Sequence, residues 1–134
     1  MILYYAHAIR GADGEDATPA KIAHNLELAQ QRADVLRAKF PDIKWIVPHD
    51  DDIVNMLHKL GLVESQHIID AELALIREKY DGVVSVGRVY SGSGVSQEIL
   101  CAHYAHKFLS IIDDTDEVGL NHLAHDLAVW QEGE

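Results

Sequence analysis

Residues Gly82 to Lys107 read GVVSVGRVYSGSGVSQEILCAHYAHK and contain three structural patterns in succession. Val83 to Val86 is short, apolar and largely β-branched, which predicts a buried strand. Ser91 to Gly94 alternates serine with glycine, which favours a tight loop. Val95 to His106 carries apolar side chains at helical spacing. These residues therefore predict a strand, a glycine-serine loop and a helix.

Glu98 lies just past this loop, in the first turn or so of the predicted helix. A carboxylate at this position can reach a ligand held by the loop. It can equally be a residue that stabilises the helix dipole and touches no ligand. The rest of the chain has to decide between these two interpretations.

The chain before and after this region continues the alternation of strands and helices. Met1 to Ala8 is apolar and predicts a first strand, and Thr18 and Pro19 are typical of the N-cap and first residue of a helix. That helix extends to about Phe40 and is stopped by Pro41. Further predicted elements are a strand at Ile43–Val47, a short helix at Ile53–Leu60, a helix at Val63–Tyr80, a strand at Lys107–Ile112 and a helix at Val118–Trp130. The alternation predicts an α/β fold with a mostly parallel sheet, formed by one domain over residues 1–134.

The charge balance limits the kinds of partner that the chain can bind. Eleven Lys and Arg residues stand against 22 Asp and Glu residues, a net charge of −11. Nucleic acid polymers and anionic membranes both require basic surfaces, so neither is expected as a partner. A small anionic ligand remains compatible, because one arginine and a few backbone N–H groups can bind a phosphate locally.

Cysteine content and hydropathy indicate the compartment. Cys101 is the single cysteine, so no disulfide within the chain is possible. The apolar N-terminus is short, lacks a basic segment, and no run of residues approaches the length needed to cross a membrane. We expect a cytoplasmic protein.

Three polar loops are predicted to meet at one edge of the sheet. In parallel α/β sheets, ligands bind at the carboxyl ends of the strands. The loop at Ile9–Ala17 follows the first strand, the loop at His49–Asp52 follows the second, and Ser91–Gly94 follows the third. These loops are far apart in sequence but are expected to surround one cleft.

Several known site types fit these loops poorly. A dinucleotide fingerprint would require a third glycine where the chain has Gln97, and no P-loop motif is present. The chain has nine histidines, which could serve as metal ligands, but no HExxH or CxxC pattern accompanies them. No GxSxG motif surrounds any of the serines near the loop. We therefore predict neither a metal nor a cofactor.

Two carboxylates are a better lead. Glu98 and Asp70 both border the predicted cleft, and a pair of acidic residues can divide the work of nucleophile and acid/base at a glycosidic carbon. Arg10 follows the first strand and can hold a 5′-phosphate. Tyr4 or Tyr5 can meet a sugar or a base.

Three segments also resemble a known enzyme superfamily. YYAHAIRGADGE, at residues 4–15, resembles the opening strand and loop of the 2′-deoxynucleoside 5′-phosphate N-hydrolases. SGSGVSQEILCAHYAHKFLSII, at residues 91–112, resembles the glycine loop, helix and following strand of the wider nucleoside 2-deoxyribosyltransferase superfamily. Asp70, followed by a helix and then Asp81-Gly82-Val83-Val84, resembles the acidic helix that precedes the superfamily's central strand.

The resemblance implies a flavodoxin- or Rossmann-like three-layer sandwich with a sheet of roughly four or five strands. It implies cleavage or transfer at the N-glycosidic bond of a (deoxy)nucleoside 5′-monophosphate or nucleoside, with no cofactor. Glu98 matches the nucleophile, Asp70 the acid/base and Tyr4 a tyrosine near the sugar. Substrate-binding positions carried over or expected at the cleft are Ile9, Arg10, Gly11, His49, Gly92, Ser93 and Gly94. A homodimer or higher homo-oligomer is also implied.

Three positions depart from the superfamily's pattern. Ala8 replaces the loop serine, Gly92 replaces a serine or aspartate, and Ser96 replaces a glycine. These departures concern phosphate binding and sugar selectivity more than the nucleophile. They motivate an alternative, a non-catalytic module that binds or senses nucleotides on the same fold.

Overall fold

The structure is a computed structural model, and it describes residues 1–8, 16–48 and 65–133. Strands and helices alternate along these residues. The strands are β1 (Ile2–His7), β2 (Lys44–Ile46), β3 (Gly82–Val86) and β4 (Phe108–Ile112). The helices are α1 (Pro19–Lys39), α2 (Ser65–Glu78), α3 (Gly94–Tyr104) and α4 (Glu117–Glu132). The short helix predicted at Ile53–Leu60 falls outside the described residues.

The four strands form one parallel sheet in the order β2-β1-β3-β4. β1 is central, with Tyr4 opposite Ile46 of β2 and opposite Val83 of β3. β3 continues the sheet to β4, with Ser85 opposite Ile111. The predicted α/β fold is confirmed, and helices cover both faces of the sheet as in flavodoxin- and Rossmann-like three-layer proteins.

Side chains of successive strand residues alternate between two apolar layers. Leu3, Tyr5, Val84 and Val86 pack in the layer that contains residues of α1 and α4. Tyr4, Ala6 and Val83 face the opposite layer, where the covering residues come from α2 and α3. The second layer is the one that contains the candidate site.

The ends of the elements agree with the sequence to within one or two residues. Thr18 is the N-cap of α1 as predicted, and its Oγ1 accepts from the Lys21 backbone N–H at 3.2 Å. Ser93 caps α3 in the same way, accepting from Ser96 N–H at 3.2 Å. Since Gly94 is then the first helical residue, Glu98 lies in the second turn and not at the helix end.

Within the described ranges, no helix is both long enough and apolar enough to cross a bilayer.

Candidate active site

Glu98 is a buried carboxyl on the sheet-facing side of α3. Its side chain is 4% exposed, and its neighbours on the same helical face, Val95 and Ala102, are also buried. An acidic side chain between two buried apolar positions cannot be explained as a surface residue that stabilises the helix dipole. Its Oε2 atom is buried and has no hydrogen-bond partner among the described residues. A buried polar atom without a partner is uncommon and calls for a functional reason.

Tyr4, on strand β1, lies next to Glu98 of α3. It is 2% exposed, and its ring stacks on Tyr80 with a centroid separation of 6.0 Å and an interplanar angle of 18°. Burial raises the pKa of Tyr4 well above its ordinary value, and the charges of Glu98 and Glu72 raise it further. Tyr4 therefore stays protonated and acts as a hydrogen-bond donor. The structure brings this predicted residue to Glu98.

Glu72 completes the group, and the sequence reasoning missed it. It lies on α2 beside Tyr4 and Glu98, and hydrogen bonding with these two side chains lowers its pKa while burial raises it. A signal is present in the sequence: Ile69, Glu72 and Ile76 follow each other at steps of three and four residues, so Glu72 occupies a position on the apolar face of the helix. A carboxylate within an apolar stripe of a helix is by that pattern alone a candidate site residue.

The two carboxyls share a low-dielectric environment. Burial is the main cause that raises the pKa of Glu98 well above its ordinary value of 4.5, and the Glu72 charge adds to it, while the Tyr4 hydrogen bond opposes it. Burial also raises the pKa of Glu72, against hydrogen bonds from Tyr4 and Glu98. Two acidic groups so arranged retain one proton between them more readily than they ionise together. Glu98, the more buried of the two, favours the neutral form more strongly.

Asp70 lies near this group but not in it. The residue is exposed, and its Oδ1 accepts from Gln66 Nε2 at 2.9 Å. The same Gln66 nitrogen donates to Gln97 Oε1 at 3.3 Å, which links Asp70 to the residue before Glu98. The carboxyl that the structure couples to Glu98 is Glu72, and the acid/base role of Asp70 stays a prediction.

The glycine-serine loop has the form that its sequence predicts. Gly92 has φ of +75°, the left-handed region that glycine occupies without strain. Gly94 allows a close approach of two helices, since an added Cβ would lie 3.2 Å from Cδ1 of Ile69 on α2. Ser93 is the α3 N-cap, so its hydroxyl is already engaged with the backbone. The loop thus positions the start of α3 against α2, which carries Glu72.

A second polar group ties together the carboxyl ends of the strands on the other face of the sheet. Arg32 of α1 donates from Nε to Asp114 Oδ1 at 3.1 Å, and its Nη1 lies 2.9 Å from His7 Nε2. His7 Nδ1 lies 3.0 Å from the carbonyl oxygen of Ala8, which can only accept, so Nδ1 carries the proton and Nε2 accepts from Arg32. Gly87, with φ of +90°, leaves room for the guanidinium, because a Cβ there would lie 3.0 Å from Nη1. This group fixes the end of β1 just before the predicted phosphate loop.

Four predicted binding residues, Ile9, Arg10, Gly11 and His49, lie outside the described residues. In the ranges 1–8, 16–48 and 65–133, no cluster of three or more His, Cys, Asp or Glu side chains is arranged to hold a metal ion.

A surface cleft of about 660 Å³ opens at the amino-terminal end of β4. Its lining includes His103, Phe108, His125 and Trp130. None of the predicted site residues lines it, and it lies at the opposite edge of the sheet from the edge where parallel α/β proteins bind ligands.

Comparison of the chain with protein-family models, with curated proteins and with solved structures gives no match. The resemblance to the nucleoside 2-deoxyribosyltransferase superfamily therefore stays a prediction from the sequence motifs.

Proposed function

We propose that this protein cleaves or exchanges the N-glycosidic bond of a nucleoside 5′-monophosphate or nucleoside, through a covalent intermediate on Glu98. The observation that carries the proposal is the buried Glu98 carboxyl, one oxygen of which has no partner among the described residues, with the Glu72 carboxyl close enough to raise its pKa. Paired carboxyls at a sugar carbon are the chemistry by which retaining glycosidases form and resolve a glycosyl-enzyme.

The proton shared by Glu98 and Glu72 allows one carboxyl to act as nucleophile and the other as general acid. When the proton moves from Glu98 to Glu72, Glu98 becomes a carboxylate nucleophile and Glu72 becomes a general acid in the same step. An oxygen of Glu98 then bonds to the anomeric carbon as the bond from that carbon to the base nitrogen breaks, and the proton of Glu72 passes to the leaving base. Tyr4 donates a hydrogen bond that favours the ionised form of Glu98.

The second half of the reaction reverses these roles. Glu72, now a carboxylate, takes a proton from a water molecule, and the resulting hydroxide attacks the anomeric carbon and releases Glu98. Attack by the nitrogen of a second base at the same carbon gives transfer in place of hydrolysis. Burial of Glu98 keeps bulk water from the carboxyl before substrate occupies the site.

Release of free base from a chromatographically resolved panel of nucleoside and deoxynucleoside monophosphates and nucleosides tests the proposal. Glu98→Gln removes the nucleophile and should lower base release by about 10³-fold or more. Glu78→Gln, which changes an exposed carboxyl of α2, is the matched control and should be active. Full activity in Glu98→Gln would end the assignment.

Arg10 distinguishes the two substrate classes. If its guanidinium binds the 5′-phosphate, Arg10→Ala should raise KM for monophosphates by about tenfold or more and leave KM for nucleosides nearly unchanged. An equal effect on both classes would argue against a monophosphate enzyme.

The alternative is a module on the same fold that binds nucleotides without turning them over. Burial of Glu98 favours it, because a carboxyl that holds its proton is a poor nucleophile. A rise in melting temperature with nucleotides, together with no base release at high protein concentration, would favour this alternative.

A further inference from the structure

Ser85 is a second buried polar side chain for which the described part of the chain offers no partner. It is 0% exposed, and its Oγ, like Glu98 Oε2, has no hydrogen-bond partner among the described residues. A buried serine normally donates its hydroxyl to a nearby acceptor. Ser110 of β4 does so, with Oγ donating to Asp126 Oδ2 at 2.7 Å.

The two unpartnered atoms belong to the same layer of the fold. Side chains alternate along β3, so Ser85 points to the same side as Val83, which packs with Tyr4, Val95 and Ala102 against α2 and α3. Glu98 lies between Val95 and Ala102 on the face of α3 that covers this side. Ser85 lies opposite Ala6 of β1, and Val83 lies opposite Tyr4. The first pair is two residues beyond the second in the strand direction. Ser85 therefore lies about 7 Å along the strand direction from that pair, toward the carboxyl edge.

We propose that Ser85 is a positioning residue whose hydroxyl donates a hydrogen bond to the ionised form of Glu98, directly or through one bridging water. Ser85 Oγ and Glu98 Oε2 each lack a partner among the described residues, so the two atoms are not hydrogen-bonded to each other in this arrangement, and the contact requires a bridging water or a small movement of the carboxyl. When Glu98 ionises, it gains acceptor capacity in a buried position where each donor is strongly stabilising. The role rests on the proposed function, because attack on the anomeric carbon requires that ionised form.

Among the described residues, the groups that face Glu98 can be named on β1, α2 and β3, while β4 adds the apolar Leu109 to this layer. β1 contributes Tyr4, and α2 contributes Glu72, which also faces Tyr80. On β3 the side chains that face this layer are Val83 and Ser85, of which only Ser85 is polar. Tyr4 and Ser85 are thus the two neutral donors that these described elements offer to the ionised carboxyl.

Stability measured against pH tests the proposal without any substrate. Ser85→Ala should be as stable as the wild type, or more stable, at about pH 4.5, because the deleted hydroxyl has no partner while Glu98 is neutral. As the pH rises and Glu98 ionises, the melting temperature of the variant should fall further than that of the wild type, because ionised Glu98 has lost a donor. In a Glu98→Gln background the pH-dependent part of the difference should vanish.

Two further variants control for packing. Ser85→Thr keeps the hydroxyl on a β-branched side chain that suits a strand, and should behave as the wild type. Ser110→Ala removes a satisfied hydrogen bond on the opposite side of the sheet, so it should lower the melting temperature and leave kcat unchanged. If Ser85→Ala does not fold, Ser85→Cys provides a weaker donor of similar size and the same pH comparison applies.

Base release by the Ser85→Ala variant tests the role of Ser85 separately from the proposed function. If the wild type releases base, Ser85→Ala should lower kcat about tenfold with KM within about twofold, as expected for one donor to a charged group. Base release unchanged in Ser85→Ala, or a stability difference that persists in the Glu98→Gln background, would overturn the role of Ser85 and leave the proposed function standing. No base release together with the expected pH-dependent difference would overturn the proposed function alone and keep the contact between Ser85 and Glu98.

Discussion

Glu72 of α2 and Glu98 of α3 lie close enough for each to affect the pKa of the other, and burial raises the pKa of both carboxyls. Neither helix alone creates this relationship. The close approach of the α3 N-terminus to α2 at Gly94 and Ile69 brings the two helices together. A side chain at Gly94 would press against the end of Ile69, so glycine favours this approach of the two helices.

The division of roles between Asp70 and Glu72 of α2 can be measured directly. Because Glu72 is coupled to Glu98 and Asp70 is exposed, Glu72→Gln should lower kcat by about 10²-fold or more, as loss of a general acid does. Asp70→Asn should stay within about threefold of the wild type. The measurement is base release under saturating substrate, with both variants compared by melting temperature to control for folding.

The reverse order of effects would be equally informative. A large loss in Asp70→Asn with an active Glu72→Gln would restore the acid/base assignment that the superfamily resemblance implies. Glu72 would then be a buried structural carboxyl.

Stability should fall as the pH rises through the titration of the pair. The folded protein binds a proton on these carboxyls more tightly than the unfolded chain, whose pKa is near 4.5, so the stabilisation is complete below that pH. It is lost as the pH rises through the raised folded pKa, with a slope of up to about 1.4 kcal/mol per pH unit for one group. Urea unfolding between about pH 4 and pH 9 measures the slope.

Substitution of either carboxyl should flatten this dependence. Glu98→Gln and Glu72→Gln each remove one titrating group, so each should gain stability relative to the wild type as the pH rises. Glu78→Gln, the exposed carboxyl of α2, should follow the wild-type curve. A wild-type curve that rises with pH over this range would contradict the raised pKa of the pair.

The Tyr4 hydroxyl should set the pH dependence of activity. Its hydrogen bond lowers the pKa of Glu98, so Tyr4→Phe should raise that pKa and move the acidic limb of the kcat profile to higher pH by about one unit. Tyr80→Phe is the matched control, because it keeps the stacked ring and leaves the Tyr4 hydroxyl in place. A pH profile that Tyr80→Phe shifts as far as Tyr4→Phe does would assign the effect to the stack and not to the hydroxyl.

Arg32 should stabilise the carboxyl edge through the geometry of its guanidinium. It contacts Asp114 through Nε and His7 through Nη1, two directions that a lysine ammonium cannot reproduce. Arg32→Lys should therefore lower the free energy of unfolding by about 1–2 kcal/mol, whereas Arg37→Lys, at an exposed position of α1, should change it by less than about 0.5 kcal/mol. Equal effects of the two substitutions would mean that the group at His7 contributes nothing beyond a surface charge.

Much of the fold follows from local patterns. Thr18 and Pro19 mark the start of α1, the β-branched run at Val83–Val86 marks β3, and the serine and glycine residues before Glu98 mark the loop and the N-cap of α3. Each signal depends on a few neighbouring residues and on backbone preferences that act without tertiary contacts. The strand and helix order that they produce is enough to predict a parallel sheet.

The candidate site divides differently. Glu98 can be selected from the sequence because it follows a glycine loop, whereas the aromatic strand leaves Tyr4 and Tyr5 open and only the superfamily resemblance implies Tyr4. The sequence motifs predict Asp70, and not Glu72, as the second carboxyl of the site. Both residues lie on α2, and the side of α2 that meets α3 decides which of them lies near Glu98. Residues two positions apart along a helix differ by more than half a turn in direction, so the choice depends on helix packing.

The sequence alone thus determined the elements, their order, and the presence of a carboxylate beyond a glycine-serine loop. The tertiary structure decided that Glu98 faces the sheet with 4% of its surface exposed, that Glu72 is its partner, and that Ser85 has no partner among the described residues of the same layer. The physical reason is that burial and coupling between charges depend on distances across elements. The residue pattern of each element determines its secondary structure. The free energies and pKa values of buried polar groups depend on the packing of the layers.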